Sequence, residues 1–200
     1  NYYDYIIADK FVIPLKYKKY YSEKIAYMPD SYLINPSYRN VSKFKNSKDD
    51  FGIPDNKFIF CSFSNSYKIL PDTLQLWINI LNDVDGSILW LAETNKTAKE
   101  NILNYFFVQG INPNRIVFAN RKKYIEDHLA RYKFVDLFLD TFPYNAHTTA
   151  CDALYLGVPV LTMYGDTFTS RVGLSLLKNL DVEELITTNT KEYQDKAIFL

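Results

Sequence analysis

From about residue 54 onward, short runs of apolar, β-branched and aromatic residues alternate with segments whose apolar positions recur every three or four residues. Runs of the first kind, at 57–63, 87–92, 115–119, 134–140 and 158–163, read as strands buried on both faces. Between them the spacing predicts helices over 72–82, 97–108, 124–132 and 148–156. The first opens after Pro71 and carries Leu74, Trp77, Ile78 and Leu81 on one face. Strict alternation of the two kinds predicts an α/β fold: a doubly wound, Rossmann-like parallel sheet covered by helices on both sides.

The tail continues the pattern, with a helix near 171–180, a short strand at 185–187 and a last helix from Lys191. The beginning differs. Tyr5-Ile6-Ile7-Ala8-Asp9 and Ile25-Ala26-Tyr27-Met28-Pro29 read as the closing elements of a preceding domain, and the polar stretch 40–50 reads as a linker. Two units are therefore expected, residues 1–45 and residues 46–200. The chain lacks an initiator Met and enters a strand almost at once, which leads to the expectation of a piece of a longer polypeptide. No internal repeat, low-complexity tract or glycine-rich phosphate loop is evident.

Composition narrows the classes. Lys plus Arg and Asp plus Glu both number 23, so no global field recruits nucleic acid or an anionic membrane, and any anion site has to be local. No run reaches the roughly 18 apolar residues of a membrane span, and the first residues lack the basic and apolar regions of a signal peptide. The expectation is a cytoplasmic protein. Cys61 and Cys151 lie far apart in apolar segments, with no CxxC spacing and no histidine cluster, and are expected as buried free thiols without a metal. Seventeen Tyr and fourteen Phe are read as core residues rather than as a sugar-stacking surface.

Ligands of open α/β sheets bind beyond the carboxyl ends of the strands, which directs attention to three loops. After the 134–140 strand comes Asp140-Thr141-Phe142-Pro143-Tyr144-Asn145-Ala146-His147-Thr148-Thr149, with His147, Thr148 and Thr149 where the next helix begins. Free N–H groups and the partial positive charge of a helix start suit a diphosphate, and Asp152 shares the face of Thr148. Spacing alone leaves a plain N-cap by Thr148 equally open. Lys68, in Ser64-Asn65-Ser66-Tyr67-Lys68, is placed to reach a phosphate or simply to be solvated. His128 and Arg131, three apart on one helix, either face a cleft or serve the helix end and a partly buried surface.

The segment from Leu139 to Thr149, with Asp152-Ala153-Leu154 and Gly157-Val158-Pro159-Val160-Leu161-Thr162, resembles the hallmark of the protein O-linked N-acetylglucosamine transferase family. The resemblance extends to 63–71, Ser87-Ile88-Leu89-Trp90-Leu91, His128-Leu129-Ala130-Arg131, Gly165-Asp166-Thr167, Ser170-Arg171-Val172 and the segments 4–9 and 21–29, which covers nearly the whole chain. It implies the C-terminal lobe of a two-lobed GT-B glycosyltransferase that takes N-acetylglucosamine from UDP-N-acetylglucosamine to Ser or Thr of an acceptor protein, with inversion and without a metal or other cofactor. An N-terminal lobe and tetratricopeptide repeats are the implied upstream partners. Matched position by position, Lys68 assists the departing UDP, His147, Thr148 and Thr149 hold the diphosphate, Asp152 binds the ribose, and Asn65, His128 and Arg131 complete the pocket. Ile125 stands where eukaryotic members carry a lysine, and acceptor-side histidines would precede Asn1, so this chain alone is expected to bind nucleotide rather than catalyse. Two other readings remain: a UDP-glucose-dependent Asn glucosyltransferase, and a noncatalytic interaction module with a relic lobe.

Overall fold

The computed structural model describes residues 2–43 and 47–200. The expected boundary between 45 and 46, and the middle of the expected linker, lie outside the described residues. The elements that position the site are β1 (Tyr5–Ala8), β2 (Lys24–Tyr27), β3 (Ile59–Ser62), α1 (Pro71–Asp83), β4 (Ile88–Ala92), α2 (Lys96–Val108), β5 (Ile116–Ala119), α3 (Ile125–Leu129), β6 (Leu137–Leu139), α4 (Thr148–Tyr155), β7 (Val160–Met163), α5 (Val172–Lys178), β8 (Ile186–Thr187) and α6 (Thr190–Phe199).

Strands β3 to β8 form one parallel sheet in the order β5-β4-β3-β6-β7-β8. Numbered from its own first strand, that is 3-2-1-4-5-6, the Rossmann order. Alternation along each strand feeds two cores. Phe60, Leu89, Leu91, Leu137, Leu139 and Leu161 pack under Trp77, Ile78 and Leu81 of α1, Phe106 of α2 and Tyr193 of α6. On the opposite face Ile59, Cys61, Trp90, Phe138 and Val160 meet Ala150 and Ala153 of α4 and Val172 and Leu176 of α5. Burial of both faces explains why the strands read as continuous apolar runs.

The expected 124–132 helix is divided: α3 ends at Leu129, and a 3-10 turn runs over Ala130–Phe134. The tighter turn lets Tyr132 enter the core, where its hydroxyl donates to the Thr149 carbonyl at 3.0 Å. The 134–140 strand is correspondingly short, with β6 spanning three residues.

Strands β1 and β2 pair in parallel as a separate two-stranded sheet. Ala8, Val12 and Ile13 belong to the same core as α4 and α5. Buried Asp9 fastens this segment: its carboxylate accepts from the Val12 and Tyr32 N–H groups at 2.9 Å each and from the Ser175 hydroxyl at 2.6 Å. From the lobe side, Arg171 Nε donates to the Phe11 carbonyl at 2.7 Å.

Candidate functional site

The strand order reverses between the parallel neighbours β3 and β6, whose Phe60 and Cys61 pair with Leu137 and Phe138. A cleft opens at such a reversal because the two crossovers leave on opposite sides. Two loops face each other there, the one after β3 carrying Asn65 and Lys68 and the one after β6 ending in His147 at the start of α4.

Asp140 shapes the second loop. Its buried carboxylate accepts from the Thr141 and Ala146 N–H groups at 2.8 and 2.6 Å through Oδ1, and from the Thr162 hydroxyl at 2.6 Å through Oδ2. Burial pushes its pKa up to about 7 against the pull of those donors and of Lys68. Gly173 of α5 packs so closely that an added Cβ would lie 2.2 Å from Thr162 Oγ1 and 2.8 Å from Asp140 Oδ2. Asn145 completes the support, donating from Nδ2 to the Thr141 carbonyl at 2.8 Å while its Oδ1 accepts from the Gly173 N–H at 3.3 Å.

With its side chain so fixed, Asn145 turns its carbonyl into the cleft. Lys68 Nζ donates to it at 2.9 Å and lies 3.9 Å from the centre of the Tyr144 ring. Lys68 is only 8% exposed, and burial lowers its pKa, opposed by the Asp140 charge. His147 Nδ1 approaches the same carbonyl at 3.1 Å. Because a carbonyl only accepts, Nδ1 carries the proton, and Nε2 of the neutral ring is left as an acceptor. Burial and then Lys68 lower the pKa of His147, which favours that neutral ring.

His147 itself, not Thr148, occupies the N-cap position of α4, and it makes no side-chain cap bond. Its carbonyl receives the first helical bonds, from Ala150 and Cys151 at 3.1 Å each, so the N–H groups of Thr148 and Thr149 precede the ladder. Phe63, Ser64, Asn65, Lys68, Tyr144 and His147 surround this point together with the two threonines, in a cleft of about 220 Å³. The Ser64 hydroxyl is buried there with no protein partner among the described residues.

A larger cleft of about 510 Å³ adjoins it, sharing Phe63 and Asn65 and reaching over the ends of β4 and β5 to Arg121, Tyr124, His128 and Arg131. Its size suits a nucleoside. The His128 ring packs edge-on against Phe63 and Tyr132, each 5.5 Å away, and burial lowers its pKa to about 4 with help from Arg131. Arg131, 2% exposed, donates from Nη2 to the Asn120 carbonyl, and its buried Nε has no partner among the described residues. Asp152 is 3% exposed; one carboxylate oxygen pairs with Arg39 and the other lies 3.8 Å from His128 Nε2.

Seven of the eight residues singled out in the sequence thus border two adjoining clefts, and the eighth, Asp152, lies behind them against His128. Sequence reasoning missed Arg39, which lies in the stretch before the expected linker and has no motif around it. It also gave no role to Asp140 and Asn145, although both stand in the quoted hallmark. Among the described residues no cluster of three or more His, Cys, Asp or Glu could hold a metal, and no helix is long and apolar enough to cross a membrane.

The family model described as Glycosyl transferase family 41 matches residues 1–45 and 40–200. Over 207 residues the chain is 34% identical to a probable UDP-N-acetylglucosamine–peptide N-acetylglucosaminyltransferase, SEC, of Arabidopsis thaliana, covering 100% of this chain and 21% of that protein. It is 40% identical over 154 residues to the UDP-N-acetylglucosamine–peptide N-acetylglucosaminyltransferase of Caenorhabditis elegans, covering 77% of this chain and 13% of the relative. The chain therefore spans about a fifth or less of the length of these relatives. Among solved structures, a mutant O-GlcNAc transferase from Thermobaculum terrenum superimposes with a TM-score of 0.84 at 26% identity, over 98% of this chain and 37% of that one. WaaG, a glycosyltransferase of lipopolysaccharide biosynthesis, shares the fold at 14% identity, with a TM-score of 0.55 over 98% of this chain and 57% of its own.

Proposed function

Because the chain belongs to glycosyl transferase family 41, which matches it along its length, we propose that it is the donor-binding lobe of a protein glycosyltransferase that moves N-acetylglucosamine from UDP-N-acetylglucosamine to Ser or Thr of an acceptor protein. The names of its relatives support the donor and the peptide acceptor. The observation that carries the reading is the convergence of Lys68 and His147 on the Asn145 carbonyl at the opening of α4. A lysine has three N–H bonds, and among the described residues one of those on Lys68 is taken, by the Asn145 carbonyl, which leaves two for a diphosphate seated at Thr148 and Thr149.

Cleavage of the sugar–phosphate bond by an acceptor hydroxyl leaves a full negative charge on the departing UDP. Lys68, held in place before the reaction, meets that charge as it develops and so lowers the barrier more than it tightens ground-state binding. The free N–H groups of Thr148 and Thr149 act in the same sense. In this reading the protein supplies all the positive charge, no metal takes part, and the displacement inverts the anomeric carbon. His147 contributes through Nε2, which has to gain a proton to donate to phosphate, so diphosphate binding draws the ring toward its cationic form.

Calorimetric titration of the intact protein with UDP, with and without a chelator, tests the reading. Expected are chelator-insensitive binding and about tenfold weaker binding for His147→Ala, the size of one lost charge-assisted hydrogen bond. Binding that vanishes with chelator, or that His147→Ala and Lys68→Ala both leave untouched, would sink it.

A further inference from the structure

The Asp152 carboxylate is 3% exposed and lies 3.8 Å behind His128, which lines the larger cleft, and its permanently charged partner among the described residues comes from the N-terminal segment. Arg39, 113 residues earlier, pairs with Oδ1 through Nη1. The guanidinium is itself aimed: Nη2 donates to Asn35 Oδ1 at 2.6 Å, its carbon lies 5.5 Å from the Tyr155 ring centre, and the Arg39 N–H donates to the Tyr155 hydroxyl at 3.0 Å. A residue held by an ion pair, a side-chain hydrogen bond, a ring and a backbone bond is a fixed support for Asp152, not a surface charge that happens to lie near an acid.

We propose that Arg39 is a positioning residue of the nucleoside pocket, holding Asp152 by one oxygen so that the other stays anionic and is presented beside His128 as acceptor for a ribose hydroxyl. This rests on the donor-lobe reading and adds to it a residue from the N-terminal segment. Burial raises the pKa of Asp152, and Arg39 is what opposes the rise. His128 does not share that task, since its ring is neutral above a pKa of about 4. The other titratable groups facing Asp152 are Tyr132 and Cys151, whose pKa values burial raises and which remain protonated near neutrality. Removal of Arg39 therefore leaves the rise caused by burial unopposed at Asp152.

The test compares UDP with 2′,3′-dideoxy-UDP on the intact protein at pH 6, 7 and 8. The ratio of the two affinities cancels protonation of the diphosphate and of His147. Wild type is expected to prefer UDP by about tenfold at every pH, the cost of one buried acceptor left unpaired. Asp152→Asn is expected to lose most of that preference. Arg39→Gln is expected to reduce it, and to reduce it most at the lowest pH, because without its cation the buried carboxyl holds its proton more readily. Arg39→Lys, which keeps a cation beside Asp152 but loses the Asn35 bond, should show weaker preference with a flat profile.

If Asp152→Asn abolishes the preference while Arg39→Gln and Arg39→Lys both behave as wild type, the proposal falls and the donor site stands. Uniformly weaker binding by Arg39→Gln, with the preference and its flat profile intact, would mean a merely structural role and would also overturn it. If Arg39→Gln does not fold, Arg39→Lys and Asn35→Ala are read by the same ratio, and an unchanged ratio in both decides against. Absence of UDP binding by wild type would instead bring down the donor-lobe reading itself.

Discussion

The two ends of the site are built in different ways. At the end proposed for phosphate, Asp140, Asn145, His147 and Thr148 come from a single stretch of chain, and the loop closes on itself through the Asp140 carboxylate. At the end proposed for the nucleoside, His128, Arg131, Asp152 and Arg39 come from three separate segments and meet only because the sheet and the N-terminal segment bring them together. Apart from Lys68, the first end is a local device fixed to one strand terminus, so its parts stand as a contiguous motif. The second is a tertiary assembly, each part of which is ordinary in its own sequence surroundings.

The strongest way to break the phosphate end is to disturb the support under it. Gly173→Ala places a methyl against Thr162 and Asp140. Overpacking of this kind is expected to cost about 3 kcal/mol, read as a fall in Tm, with loss of UDP binding in whatever folds. Next comes Lys68→Ala, expected to lower kcat of the intact enzyme about 100-fold while weakening UDP much less, because the ammonium serves the charge that develops on departure. An equal loss in both would make Lys68 a plain binding residue.

Asp140 offers a test by pH. Its carboxyl is raised in the folded protein to about 7, so its contribution to stability is full below its unfolded pKa and is lost as pH rises through the folded one. Unfolding free energy should therefore fall between about pH 4 and 7, with a slope from this group of at most about 1.4 kcal/mol per pH unit. Asp140→Asn should remove that slope, although it also exchanges the acceptor for Thr162. The smallest effect is expected at the nucleoside end: His128→Phe keeps the packing against Phe63 and Tyr132 and, as the ring is neutral, should weaken UDP by only about threefold. A loss as large as that of Lys68→Ala would erase the contrast between the ends.

Much of the molecule was legible in the residues. Alternating strand and helix periods gave the order of elements, because a parallel sheet buried on both faces leaves its pattern in every segment. The loop around His147 was legible as well, since helix-start chemistry depends on neighbours in sequence. Boundaries inside 124–140 were not: whether α3 continues past Leu129 depends on Tyr132 finding a place in the core, which no local spacing encodes.

The sequence by itself determined the fold class, the strand order it implies, and the contiguous loop that opens α4, because periodicity and capping act over a few residues. Tertiary structure alone decided that Asn145 offers its carbonyl to Lys68, and that Arg39 from the N-terminal segment meets Asp152. These contacts join residues 77 and 113 positions apart. An ion pair or hydrogen bond acts over a few ångströms of space, and only the packed sheet turns such sequence separations into that distance.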